Sequence, residues 1–131
     1  MILVDTTVWI DFFAGRNATH VLYLEKLILD RENICICPLI LTEILQGIQN
    51  DHEFKATLNH FEAIICLPME RSAYLLAAQL YRNARKNGVS IRKTNDCLIA
   101  AVAIENSATL LHHDKDFDLL ARYSDLKILK T

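Results

Sequence analysis

Apolar residues fall in two rhythms along this chain. Short runs at Ile2–Val4, Ile34–Cys37, Ile64–Leu67, Thr109–Leu111 and Leu126–Leu129 are too brief for helices and read as strands buried in a sheet. Between them apolar positions recur at helical spacing. Val21, Leu24, Leu27 and Ile28 predict a helix from about Asn17 or Thr19 to Asp30. Ala73, Leu76, Ala77, Leu80 and Ala84 predict the longest helix, Glu70 to Lys86, ended by Asn87-Gly88. Thr6 to Phe13 reads as a short helix capped by a hydroxyl and closed by Ala14-Gly15. Leu39 to Ile48, behind Pro38, is apolar nearly all round. His52 to Ala63 places Phe54, Leu58 and Phe61 inward, and Asp96 to Glu105 is almost wholly apolar after its first residue, with Thr94 or Asn95 as cap. His112 to Asp118 reads as a polar segment and Phe117 to Tyr123 as a last short helix. Strands alternating with helices imply a three-layer α/β/α sandwich on a mainly parallel sheet.

Length and composition narrow this picture without changing it. At 131 residues the chain fits one domain, 1–131, with no repeat or linker. Only 3 Gly and 2 Pro favour long helices over a many-turned β fold. No apolar run approaches a membrane span, and the N-terminus lacks a basic leader, so a soluble cytoplasmic protein is expected. Cys35, Cys37, Cys66 and Cys97 lack zinc-knuckle spacing and sit among apolar residues, as buried reduced thiols would. A net charge of −2 excludes a global basic footprint, so nucleic acid would need a local patch.

The candidate chemistry is acidic. Most of the 16 Asp and Glu residues fall on polar helix faces or in breaks. Asp5, Glu43, Asp96 and Asp114 adjoin apolar stretches instead. Asp5 ends the first strand and Asp114 follows the fourth, at the sheet edge where open α/β folds place ligands. Glu43 lies in the helix after the second strand, and Asp96 starts the apolar helix. Taken singly, Asp5 also fits a helix cap, Asp96 a helix N-terminal charge and Asp114 a loop residue. Glu43 is harder to dismiss, because an unpaired carboxylate in an apolar helix is costly. Four clustered carboxylates repel and raise each other's pKa, and a hard cation such as Mg²⁺ or Mn²⁺ relieves that. No His-Glu-x-x-His occurs, and His112-His113 read as surface or supporting residues. An all-oxygen site with one or two such ions suits phosphoryl chemistry. A carboxylate not fully engaged is available as general base, and Thr6 or Thr7 can hydrogen-bond a ligand oxygen. Arg82, Arg85, Lys86, Arg92 and Lys93 precede Asp96 as a basic rim for phosphates, or as a solvated helix end and loop. Trp9, Phe12 and Phe13, with Tyr23 and Leu45, line either a partner groove or ordinary core.

These blocks together carry a family resemblance. M-I-L-V-D-T-T-V-W-I-D-F-F-A-G, P-L-I-L-T-E-I-L-Q-G, I-R-K-T-N-D-C-L-I-A-A-V-A-I and L-L-H-H-D-K-D-F-D-L-L-A resemble, in order and spacing, the PIN-domain ribonucleases. Within these the chain is similar to VapC-type toxins of VapBC toxin–antitoxin pairs. The resemblance implies that Asp5, Glu43, Asp96 and Asp114 hold Mg²⁺ or Mn²⁺ and that Asp116 is a further acidic position near the metal. Thr7 stands where the family often has Ser or Asn. It also implies RNA cleavage, often of tRNA or rRNA, a homodimer, and an antitoxin that covers the site, for which Trp9, Phe12, Phe13 and Leu45 are the candidate contacts. The rival reading is a PIN-fold protein-binding module without catalysis. A receiver domain requires an Asp where strand three ends in Leu67-Pro68, and a haloacid-dehalogenase-type phosphatase requires one at Thr7. No glycine-rich phosphate loop appears.

Overall fold

The computed structural model describes residues 1–131. In chain order the elements are β1 (Ile2–Val4), α1 (Thr6–Phe13), α2 (Thr19–Leu29), β2 (Ile34–Ile36), α3 (Pro38–Gln46), α4 (Asp51–Glu62), β3 (Ile65–Cys66), α5 (Arg71–Lys86), α6 (Thr94–Glu105), β4 (Thr109–Leu111), α7 (Lys115–Arg122) and β5 (Lys127–Ile128). The strands form one sheet in the order β3-β2-β1-β4-β5, and every neighbouring pair is parallel. Helices cover both faces, as the α/β/α pattern predicts. Leu3, Val4, Cys35, Ile36, Leu110 and Leu111 are buried, as a parallel sheet covered on both sides requires. Both edge strands have only two residues, which leaves little free edge for another chain to pair with.

The strand order sets the position of the site. From β1 the chain steps outward to β2 and β3, then crosses back to β4 on the other side of β1 and on to β5. The order therefore reverses between β1 and β4, and in open α/β sheets ligands bind at the carboxyl end of such a reversal. Helix α6, which precedes β4, is the most buried helix of the fold. Cys97, Ile99 and the run Ala100–Ala103 are all buried. The alanines let α6 approach α5 closely, where Ala73, Ala77, Leu80 and Ala84 form the matching stripe.

Several sequence expectations are corrected. No hydroxyl caps α1; its N-cap is Asp5, and Thr6 is already helical. The N-cap of α6 is Lys93, so neither Thr94 nor Asn95 serves. Helix α7 starts two residues before Phe117, because the Asp114 side chain accepts the Asp116 amide and caps it. Helix α3 buries only Ile40 and Ile44, so it is not enclosed all round. In α4 only Phe61 is buried and Phe54 faces solvent, since this helix packs by its C-terminal end.

Trp9 is fully buried. Its indole Nε1–H donates to the Val4 carbonyl at 3.1 Å, and Phe61 meets it edge-to-face at 4.9 Å. That contact pins α4 to α1 and removes Trp9 from any docking surface. Cys66 lies exposed on the β3 edge, whereas Cys35, Cys37 and Cys97 are buried, and burial pushes each of those three thiols up to about 11. One thiol is therefore expected to react promptly with an aromatic disulfide reagent in the native protein and four in denaturant. Two or more prompt thiols would contradict this packing.

Candidate metal centre

Asp5 leaves β1 at the reversal point, and its backbone amide donates to the Leu111 carbonyl at the end of β4 at 2.9 Å. The two central strands thus hold Asp5 beside the segment that carries Asp114 and Asp116. Asp96 enters from the first turn of α6 and Glu43 from the middle of α3. A cavity of about 240 Å³ opens here, and its wall includes Asp5, Thr6, Thr7, Glu43, Asp96 and Asp114. Carboxylate oxygens of Asp96, Asp114 and Asp116 all lie within 4.8 Å of one another. The fold therefore gathers the whole acidic set at one sheet edge, in two overlapping groups that share Asp96 and Asp114.

Their environments differ. Asp5 and Asp96 are buried, and burial is the main reason both acids sit high. Asp5 is pushed up to about 7, with the charges of Asp96 and Glu43 adding and the amides of Thr6 and Thr7 opposing. Asp96 is pushed up to about 6, with Asp114 adding and Lys93 opposing. The Oδ2 atom of Asp96 is buried and has no hydrogen-bond partner. A buried carboxylate oxygen without a donor is costly unless it takes a proton or a cation. Glu43 is half-buried and does have partners: Thr6 Oγ1 donates to Oε1 at 2.7 Å and Asn95 Nδ2 to Oε2 at 3.3 Å. They are neutral donors, so they orient the charge without cancelling it. This donor set is all oxygen and carries an unpartnered buried acceptor, which fits a hard divalent cation and not zinc.

The surrounding residues hold the acids in place. His112 Nδ1 accepts the Asp114 amide at 2.9 Å, and Nε2 meets Asp118 Oδ1 at 3.1 Å. Burial lowers its pKa, consistent with a neutral ring whose proton sits on Nε2. His113 stacks on His20 with ring centroids 4.0 Å apart, and His20 pairs with Asp11 at 2.6 Å. Both histidines therefore support the loop after β4. Thr6 orients Glu43, while Thr7 lines the cavity.

The basic rim divides. Lys93 lines the acidic cavity. Arg82 bonds Gln79, and Arg85 lies over the Tyr81 ring at 5.6 Å, both on α5 with Lys86 exposed beside them. Arg92 is ion-paired with Asp114 and Asp116 and is not free for a phosphate. Asn95 is the residue that sequence reasoning missed, offered there only as a helix cap; its position beside Asp96 was the one available signal. Of the aromatic candidates, Phe13 is exposed and Phe12 half-buried, like Leu45. Ile10, Phe13, Ile44 and Ile48 line an apolar cleft of about 560 Å³ between α1, α3 and α4. No helix is long and apolar enough to cross a membrane.

Comparison with known proteins agrees with this geometry. The family profile described as PIN domain matches residues 2–123. The chain is 33% identical over 129 residues to VapC ribonuclease Mb1587 of Mycobacterium bovis and to ribonuclease VapC11 of Mycobacterium tuberculosis, covering 97% of this chain and 96% of each relative. Among solved structures it is similar to VapBC2 from Rickettsia felis bound to a promoter DNA fragment, with TM-score 0.77, 19% identity and 98% of both chains covered. It is also similar to FitAcB from Neisseria gonorrhoeae, with TM-score 0.75, 22% identity and coverage of 99% and 97%.

Proposed function

The chain belongs to the PIN-domain family and, within it, to the VapC ribonucleases, and from that premise we propose that residues 1–131 form one Mg²⁺- or Mn²⁺-dependent endoribonuclease domain acting as the toxin of a toxin–antitoxin pair. The observation that carries the metal dependence is the buried, unpartnered oxygen of Asp96, a residue that shares its cavity with Asp5, Glu43 and Asp114. Asp5, Asp96 and Asp114 would hold the cation, with Glu43 across the cavity and Asp116 behind Asp114. When bound, such an ion neutralises charge on the scissile phosphate and makes water a better nucleophile.

The chain's own residues do the rest. Asp5 and Asp96 would hold the cation as carboxylates, with any proton they carry released to solvent. Thr6 and Asn95 hold the Glu43 carboxylate in one orientation, which leaves it as the group to accept a proton from the attacking water. Lys93, on the cavity wall, offers an ammonium to the phosphodiester, and Arg82, Arg85 and Lys86 extend that positive rim along α5. RNA, in the form of a tRNA or rRNA, is the substrate class in this reading. An antitoxin segment with apolar side chains fills the cleft lined by Ile10, Phe13, Ile44 and Ile48. Trp9 takes no part. Two copies pair in the cytoplasm.

The test is incubation of the purified chain with total RNA in Mg²⁺ and in excess EDTA. Cleavage in Mg²⁺ that EDTA abolishes is the expected result. Cleavage that survives full chelation would sink the metal reading, and no cleavage in either condition would favour the silent binding module.

A further inference from the structure

Of the five basic residues ahead of α6, Arg92 is the one ion-paired with the acids. Arg92 Nε meets Asp116 Oδ2 at 3.1 Å, and Nη2 meets Asp114 Oδ1 at 3.1 Å. The Arg92 backbone amide also donates to Asp116 Oδ2, at 3.3 Å. The Asp116 side chain is 3% exposed while that of Arg92 is 59% exposed. The guanidinium therefore reaches in from solvent and caps a buried carboxylate. Arg92 is the one cation in an ion pair with either acid.

The two groups of acids thus stand in different states. Asp114 and Asp116 share a fixed, protein-borne positive charge. Asp5, Glu43 and Asp96 accept from neutral donors or none, Lys93 lines their cavity without an ion pair to any of them, and Asp96 Oδ2 is unpartnered. Two-metal phosphoryl-transfer sites place the ions about 3.5–4 Å apart and bridge them with carboxylates. Here Asp114 Oδ1 already accepts from Arg92 Nη2 and from the Asp116 amide. A guanidinium cannot lose its proton in a protein, and its planar fork spans two carboxylates as one spherical ion does. A second metal would have to break two charge-assisted hydrogen bonds to enter.

We infer that Arg92 stands in for a second cation, so that this chain binds a single divalent ion on the Asp5–Asp96 side while the guanidinium fills the Asp114–Asp116 side. This rests on the metal reading proposed above. It makes Arg92 a positioning residue acting through Asp114 and Asp116, and it removes Asp116 from the ligands of the ion. Charge, more than shape, is what the position requires.

Mn²⁺ binding to the metal-free full chain, followed by loss of the free-ion electron paramagnetic resonance signal, reads the stoichiometry without using activity. Wild type is expected to bind one Mn²⁺ per chain. Arg92→Gln, which removes the charge from a largely exposed side chain, is expected to bind two. Arg92→Lys keeps the charge and is expected to remain at one. Asp116→Asn is expected to keep the single ion. Two ions on wild type, one ion on folded Arg92→Gln, or loss of the ion in Asp116→Asn would each overturn the inference. No Mn²⁺ on wild type at all would overturn the metal reading beneath it, and so tells the two failures apart.

Discussion

Asp96→Asn is expected to lower RNA cleavage by about 10²–10³-fold or more, the scale for losing one preorganised group that stabilises transition-state charge, while leaving the protein as heat-stable as before or more so. The two halves of this result have one cause. Asp96 is buried with one oxygen unpartnered, and its pKa is raised to about 6 by that burial and by Asp114. Near pH 8 in the absence of metal it is an ionised group held where ionisation is disfavoured. The amide removes the charge at nearly constant volume. A residue kept for the fold would show activity and melting temperature falling together. A residue kept for a cation shows them parting. Gel-resolved cleavage of total RNA and a thermal melt in EDTA, run on the same preparation, make the comparison. A drop in melting temperature that tracks the drop in cleavage would mean that the carboxylate is structural.

The stability of the metal-free protein is expected to fall as pH rises from about 5 to above 7, and a saturating divalent cation is expected to flatten that fall. Asp5 and Asp96 ordinarily titrate near 3.8 but reach about 7 and about 6 in the folded chain. Between those values and 3.8 the folded state binds protons that the unfolded state has already released. Stability is therefore lost with rising pH through this window and levels off above about 7. For Asp5 the loss is on the order of a few kcal/mol, enough to move the melting temperature by several degrees in a chain of this size. His112 acts oppositely. Its pKa is lowered by burial, so below its ordinary value of 6.5 protonation favours the unfolded chain. The Asp5→Asn, Asp96→Asn double variant separates the two, because it should abolish the downward slope and leave the histidine contribution. A melting temperature that rises steadily from pH 5 to 8 in EDTA would contradict the burial of these acids.

Much of the fold was legible because parallel strands are nearly pure apolar runs. Ile2–Val4 and Thr109–Leu111 match the observed strands residue for residue. The stripe on α5 was legible for a similar reason, since Ala73, Ala77, Leu80 and Ala84 repeat at helical spacing and are buried. The start of α7 was not, because the cap that creates it is itself one of the acids. Polarity reads as loop until the Asp114 side chain is seen to hold the Asp116 amide. Trp9 was misplaced because an aromatic on a short helix looks alike in a groove and in a core; Val4, His60 and Phe61 together place it inside. The acids at 5, 43, 96 and 114 were individually ambiguous and stood out as a set. Thr6 reads as able to hydrogen-bond a ligand oxygen, but which acid each partner serves was not legible. Thr6 to Glu43, Asn95 to Glu43 and Arg92 to Asp116 are tertiary contacts between residues that no local pattern joins.

The pairing of β1 with β4 has a consequence for when this protein becomes dangerous. Leu3 lies beside Leu110, so β1 waits for β4, made long after it, before it finds its neighbour on that side. Asp5 is made well before Asp114 and the helix it caps. Contacts so distant in sequence form late. A nascent or truncated chain that stops before β4 therefore lacks Asp114 and with it the assembled acidic set.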